Sequence, residues 1–432
     1  MPVASQAKSF LITTWEGGGS VAPALTVARK LVERGHRVRV MSDLCNRPEA
    51  EATGAEFVAW TRAPSRSDRN REGDLLNDWA TPGPEGLMRS LDQLWAGRSL
   101  DYALDLVEEL DREPADLVAT SEMLFGVAAA CEARGQPHVL LCAQVSLLPH
   151  AGVPPLGPGL PPATSPAEEA MHAEIGAGLV DLLDHGLPAV NATRRHLGLE
   201  PLAHLADQAD AAEAVLLGTA RAFDFAPATP SSRVRYVGPQ LDQPAWAEPW
   251  VSPWPVDDAR PLVMVGFSTT FQNHGAVLQR IADALGQLPV RGLITLGDTI
   301  YPSEIQPPPN VALVHSARHD LVMEQAAVVV THGGHGTVTR ALAHRLPMLV
   351  IPHGRDQNDN AIRVTWRGAG LSLTPDASAE DIRAALARLL DEPAFAQAAR
   401  ALGDQVAAEI ANSPVVEELE TLAVSAREPC AA

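Results

Sequence analysis

The sequence predicts an α/β protein built from two parallel-sheet domains that face each other across a cleft. Three observations carry this expectation. Both halves alternate short apolar runs with segments of helical periodicity, and strands alternating with helices imply parallel sheets. A Pro/Trp-rich stretch divides the chain. The length, 432 residues, exceeds what one ordinary core organises.

In the first half, Phe10–Thr14, Arg37–Met41, Ala55–Trp60, Asp116–Thr120, Val139–Ala143 and Val215–Gly218 read as strands. Between the first two, Val21–Glu33 puts Leu25, Ala28, Leu31 and Val32 on one helical face, and Arg34-Gly35 closes that helix. Further helices are expected near Ser99–Asp111 and Phe125–Arg134. Strands in the second half are expected at Leu262–Phe267, Arg291–Thr295, Val311–Val314, Ala326–Val330 and Met348–Ile351. Residues 238–258 hold Pro239, Pro244, Pro249, Pro253 and Pro255 beside Trp246, Trp250 and Trp254. Proline blocks regular structure, so a semi-rigid connection is expected there. The predicted domains are therefore 1–237 and 259–405, followed by a C-terminal helical segment, 406–432. A continuous helical pattern runs from Pro393 to Thr421, long enough to reach back to the first domain. Pro149–Pro166, with seven prolines, reads as a loop.

Composition narrows the function. Hydrophobic content of 46% with 20% charged residues is that of a globular protein. A net charge of −20 argues against nucleic acid or an anionic membrane as partner. Cys45, Cys131, Cys142 and Cys430 show no Cys-x-x-Cys spacing and read as buried or free thiols of a reducing compartment. The N-terminal run Phe10-Leu11-Ile12 has strand length rather than that of a signal peptide. No apolar run approaches the ~20 residues that span a bilayer. A cytoplasmic enzyme, monomer or homodimer, is the expectation.

The chemistry concentrates between Val328 and Val364. An apolar run ends in Thr331-His332-Gly333-Gly334, and a helical pattern begins at once with Thr337 to Leu342. A strand, a Gly-rich turn and a helix point free N–H groups and the positive end of a helix dipole at an anion. His332 can donate a ring N–H to a phosphate oxygen, and Thr337 adds a hydroxyl at the helix start. A second strand then delivers His353-Gly354-Arg355-Asp356-Gln357-Asn358. Strand ends of a parallel sheet share one crevice, so an anion site and a cluster of hydroxyl-reading side chains would adjoin. A carboxylate beside a carboxamide supplies the acceptors and donors that sugar hydroxyls need. A diphosphate joined to a sugar fits both features.

The plainer readings are a tight strand-to-helix turn eased by glycines and, for Asp356, a helix cap. A metal site at His332, His335, His344 and His353 is disfavoured, because three-residue spacing across a Gly turn is poor ligand geometry. The order His-x-Gly-x-Gly-Thr, then Pro, then Asp-Gln resembles the donor signature of inverting, nucleotide-sugar-dependent small-molecule glycosyltransferases of the GT-B fold, in which two Rossmann-like domains face a cleft. The resemblance implies that His332, Gly333, Gly334, Gly336 and Thr337 hold the donor diphosphate, with Thr269 from the strand end Ser268-Thr269-Thr270. It assigns Asp356 and Gln357 to the 3- and 4-hydroxyls of a hexose. It places Arg318 and His319 at the nucleobase, although the aromatic residue usual in that segment is absent here. The acceptor would bind the first domain, shaped by loops such as Ser65–Pro84 and Pro149–Pro166.

The first turn departs from the family. Many members carry Gly-His-x-x-Pro there, the His acting as general base. This chain reads Gly19-Ser20-Val21-Ala22-Pro23, and a serine hydroxyl is far too weak a base to act unaided. The acidic partner usual near the end of the Asp116–Thr120 strand is replaced by Ser121, with Glu122 next to it. Glu16, Glu122 and then His150 are the candidate bases around Ser20. The resemblance implies transfer of a hexose, glucose from UDP in the first instance, to a hydrophobic or phenolic small molecule, without cofactor. TDP-deoxysugar transfer in antibiotic biosynthesis is the alternative. No Asp-x-Asp element occurs, so no metal is implied. A catalytically silent nucleotide-binding auxiliary protein and a sugar-nucleotide epimerase complete the alternatives.

Overall fold

Alternating apolar strands and amphipathic helices assemble into two wholly parallel sheets in the computed structural model, which describes residues 7–81, 83–146, 152–227, 231–242 and 249–425. The first sheet comprises β1 (Ser9–Thr13), β2 (Arg37–Ser42), β3 (Glu56–Ala59), β4 (Leu117–Ser121), β5 (His138–Cys142), β6 (Ala214–Leu217) and β7 (Val234–Tyr236). Their order is β3-β2-β1-β4-β5-β6-β7. The second comprises β8 (Leu262–Gly266), β9 (Arg291–Thr295), β10 (Val311–Val314), β11 (Ala326–Thr331), β12 (Met348–Val350) and β13 (Gly370–Ser372), in the order β10-β9-β8-β11-β12-β13. Each sheet reverses its strand order beside its first strand, at β1/β4 and at β8/β11. Those are the switch points where crevices form beyond the strand ends.

The strands are apolar on both faces because helices cover both. Phe10 and Ile12 pack into one core with Val27, Ala28 and Leu31 of the Val21–Glu33 helix, while Leu11 points into a second core with Tyr102 and Leu106. Val263 and Val265 likewise face one core of the second sheet, and Leu262 and Met264 the other. This is the period-two alternation of a strand sandwiched between helical layers.

All eleven expected strands are present, within a residue or two at their ends. The structure adds β7 and β13, three-residue edge strands too short to carry a periodic signal. The Val21–Glu33 and Phe125–Arg134 helices have the bounds expected of them. The C-terminal pattern differs from the single helix expected. It forms Pro393–Ala411 and Val415–Ser425, separated at Asn412-Ser413-Pro414. Proline lacks an N–H and disfavours helical backbone in the residue before it, so the chain turns at this point. The break lets Val415, Val416, Leu419 and Leu422 pack into the first domain's core beside Phe10 and Ile12. Helices Pro166–Leu183 and Leu187–His196 follow the Pro-rich loop and were not anticipated from the sequence. Of the connecting segment, Pro244 and Trp246 lie outside the described residues, whereas Trp250 and Trp254 pack against the second domain.

Candidate active site

The crevice ends of the two sheets meet at the turn after β1. Gly18 has φ +80°, and a Cβ there would lie 2.7 Å from Thr269 Oγ1 and 3.1 Å from Thr270 Cγ2. Only glycine permits both the left-handed backbone and this approach of the two domains. Just beyond the turn, Ser20 begins the Val21–Glu33 helix, its hydroxyl donating to the Trp15 carbonyl at 3.1 Å. Ser20 and Glu122 line one cavity of about 50 Å³ with Thr13, Thr14, Leu141 and Gln144.

The two carboxylates expected near Ser20 have different surroundings. Glu16 is buried, with Oε1 accepting the Gly18 amide at 2.9 Å and Oε2 accepting Arg69 Nε at 3.1 Å. It braces the turn, and it is not among the residues lining the cavity. Glu122 does line the cavity, and its Oε2 accepts the Cys142 thiol at 2.8 Å. Burial, then the Glu122 charge, pushes the Cys142 thiol well above its ordinary pKa, so it stays a protonated donor. Glu122 thus faces the cavity beside Ser20, whereas Glu16 faces the turn and Arg69. His150 lies outside the described residues.

Across the crevice, β11 ends at Thr331 and the His335–Ala343 helix starts after Gly334 without a side-chain cap. Its first amides are therefore available to an anion. Gly333 has φ +97°, and a Cβ there would meet Val350 Cγ1 at 2.8 Å and the Gln357 carbonyl at 3.1 Å. A Cβ at Gly336 would meet nothing within 4 Å, so this glycine leaves space at the helix start. Thr337 is half-buried in the first turn, its amide bonded to the Gly334 carbonyl at 3.1 Å.

His332 is buried, and its Nδ1 has no hydrogen-bond partner within the protein. Burial, aided by Arg355 and His353, pushes its pKa down to about 3. The ring is thus neutral at physiological pH and offers a dipole rather than a full charge. It belongs to a cluster that the sequence did not disclose: Phe267, His274 and His353 surround it, with His274 and His353 centroids 4.4 Å apart. His274 is buried with Nε2 unpartnered, and burial beside the other two rings holds its pKa far below normal. Among the described residues no group of three His, Cys, Asp or Glu side chains is placed to hold a metal ion.

The polar tip after β12 is more tightly built than its sequence suggests. Asn360 Nδ2 donates to the Gly333 carbonyl and to Asp356 Oδ2, each at 2.8 Å. Asp356 stays half-buried. Gln357 is 1% exposed, and each end of its carboxamide makes a bond within the protein. Its Oε1 accepts the His353 amide at 2.6 Å, and its Nε2 donates to Gln272 Oε1 at 3.0 Å. These two bonds tie the tip to its own backbone and to Gln272. Of Thr269 and Thr270, Thr269 is exposed, whereas Thr270 accepts Arg355 Nη1 at 3.0 Å. At the expected nucleobase segment, Arg318 pairs with Asp320 at 2.9 Å. His319 packs under the end of β8, where Gly266 leaves room for its ring, and burial pushes its pKa down to about 4. Asn360, Gln272 and His274 were missed by sequence reasoning. Only Asn360 left a readable trace, four residues beyond Asp356 on the same helix face.

Two parallel sheets whose switch points confront each other across one crevice define the GT-B class of glycosyltransferase. Residues 279–422 match the C-terminal domain of the erythromycin biosynthesis protein CIII-like family. The whole chain is similar to 4'-demethylrebeccamycin synthase of Lentzea aerocolonigenes, 29% identical over 95% of this chain and 99% of that one. It is also similar to the TDP-daunosamine transferase DnrS of Streptomyces peucetius, 31% identical over 48% of each. The solved glycosyltransferase of kitacinnamycin superposes with a TM-score of 0.76 at 21% identity, covering 97% of this chain and 99% of that one. The chain thus has the GT-B fold and is similar over nearly its whole length to antibiotic glycosyltransferases, with an erythromycin biosynthesis protein CIII-like domain in its C-terminal part.

Proposed function

We propose that the chain transfers a hexose, with inversion, from a pyrimidine nucleoside diphosphate to a hydroxyl of a hydrophobic or phenolic acceptor. The observation that carries this reading is the uncapped start of the His335–Ala343 helix, with the open space at Gly336, across the crevice from the cavity shared by Ser20 and Glu122. The diphosphate would rest against the His332–Thr337 turn, where fixed amide dipoles offset the charge that grows on it as the glycosidic bond breaks. The acceptor hydroxyl would attack from the cavity side while Glu122 accepts its proton. Asp356 would accept sugar hydroxyls, with Gln357 and Asn360 holding it in place. Arg318 and the backbone before His319 would meet the base, with His319 supporting that segment from beneath.

UDP-glucose is the first donor to test. TDP-deoxysugars are the second donor class to test, supported by the similarity to the TDP-daunosamine transferase DnrS. A mass-spectrometric screen of UDP-glucose and TDP-sugars against phenols, flavonoids and macrolides tests both. Product with none of these donors, in the presence of acceptors that related transferases accept, would overturn the reading.

A further inference from the structure

Two loops of the first domain meet the second domain at one short stretch, residues 355–359, and the 65–84 loop is held further by Arg71, which donates to Glu304 at 3.2 Å. The carboxylate of Asp359 accepts the Gly157 amide at 2.8 Å. Asn358 Nδ2 donates to the Gly157 carbonyl at 3.1 Å. Gly157 and Gly159 have φ of +117° and +70°, and a Cβ at Gly159 would lie 2.7 Å from the Asn358 carbonyl. The loop therefore fits the start of the Gln357–Trp366 helix only with glycine at that point. Just before that helix, Arg355 forks onto Asp78 of the 65–84 loop at 2.6 and 2.9 Å. Arg355 holds a left-handed backbone, φ +53°, which costs a non-glycine residue energy and persists where surrounding bonds enforce it.

Asp359 is 2% exposed, and its neighbour Arg363 is already paired with Asp224 at 2.8 Å. A carboxylate buried in that setting is costly unless N–H groups meet it. Here the Gly157 amide does so, from the other domain's loop. Core packing of the Gln357–Trp366 helix alone would be served by an uncharged residue.

We propose that Arg355, Asn358 and Asp359 are positioning residues for the acceptor, clamping both loops from the donor side so that donor occupancy and acceptor selection are linked. The inference rests on the donor-site reading given above. Asp356 lies between the clamp residues in sequence, so a donor contacting it bears on the same stretch that holds both loops. Linkage is reciprocal: what the donor does to the loops, the acceptor does to donor affinity.

Hydrogen–deuterium exchange on the full chain, with and without UDP and TDP, tests the clamp beside steady-state kinetics. In wild type, bound nucleotide is expected to protect the 152–163 amides. Asp359→Asn replaces one accepting oxygen by an amide that cannot accept, so exchange of this segment should rise about tenfold. Nucleotide protection of the segment should vanish, nucleotide Kd should stay within about twofold, and acceptor KM should rise about fivefold or more with kcat less affected. Gly159→Ala should act in the same direction. Asn358→Ala provides a milder variant should either fail to fold. Nucleotide that binds wild type without protecting the segment, or an acceptor KM unmoved in all three variants, overturns the inference alone. Failure of wild type to bind either nucleotide overturns the donor reading and this inference with it.

Discussion

Asn360 and Gly333 are joined by a 2.8 Å hydrogen bond from side-chain amide to carbonyl, and the same amide holds Asp356 at 2.8 Å. One buried residue thus sets the distance between the turn proposed for diphosphate and the carboxylate proposed for sugar. Asn360→Ala takes the donor from the buried Gly333 carbonyl and from half-buried Asp356, at about 1–3 kcal/mol. Nucleotide affinity should fall about fivefold or more by calorimetry, together with the unfolding midpoint. Asn360→Asp should be worse, since it turns a donor into a charged acceptor facing another carboxylate. Unchanged nucleotide affinity in both variants would remove Asn360 from the site.

The base is tested by isosteric changes. Glu122→Gln removes basicity while keeping shape, and kcat should fall about 10²-fold or more. Glu16→Gln should instead lower the unfolding midpoint, because Glu16 braces the Gly18 amide and Arg69, while kcat falls little. Phenols, with an ordinary pKa near ~10, should outpace alcohols of similar size, and their rate should rise with pH as phenolate grows. The opposite ranking of the two variants would return Glu16 to the chemistry.

Much of this architecture was legible because its signals are local. Phe10-Leu11-Ile12 and Leu262-Val263-Met264-Val265 are strands that can be buried only between helical layers, and the His332–Gly336 run announces a strand-to-helix turn. The illegible parts depend on contacts between distant segments. Gln357 reads as a sugar ligand, and its bonds to Gln272 and the His353 amide leave no sign in the sequence. Glu16 reads as the first candidate base near Ser20, and its bond to Arg69, 53 residues away, leaves no sign in the sequence. Gly157 and Gly159 read as loop punctuation until Asp359, from the other domain, accepts the Gly157 amide. Residues 393–425 show the reverse case, where Pro414 was visible in the sequence but the apolar periodicity on either side concealed the break.

Donor-side stability should be sensitive to acid. His332 and His319 have pKa values pushed down to about 3 and about 4, and those of His274 and His353 are also lowered, with burial the largest cause in each. In the unfolded chain each titrates near ~6.5. Below that pH the unfolded state binds protons that the folded state refuses, so stability falls as pH drops from about 6.5 toward 4. Asp359, raised to about 6 chiefly by burial, opposes this over the same range, because there the folded state binds the extra proton. The histidines outnumber it. The urea midpoint should therefore decrease from pH 6.5 to 4, and His319→Gln should flatten part of that slope. A midpoint that rises toward pH 4 would show that these rings are not held neutral.

The last prediction separates sugar reading from scaffolding in the Asp356-Gln357 pair. Gln357 is bonded at both ends inside the protein. Gln357→Ala should therefore lower the unfolding midpoint, and nucleotide affinity should fall with it as His353 loses its place beside His332. Asp356 is half-buried, with Oδ2 taken by Asn360. Asp356→Asn keeps an oxygen for Asn360 and changes what the side chain can accept from a ligand. Free UDP and TDP should then bind within about twofold of wild type, while turnover falls about tenfold, the loss of one charge-assisted hydrogen bond to sugar. The loss should be larger for a fully hydroxylated hexose than for a deoxysugar lacking the contacted hydroxyl, which makes the ratio of the two losses a measure of which donor the site is built for. Equal losses on free nucleotide and on sugar nucleotide would make Asp356 part of the scaffold as well, and the sugar contacts would then have to come from the first-domain side of the crevice.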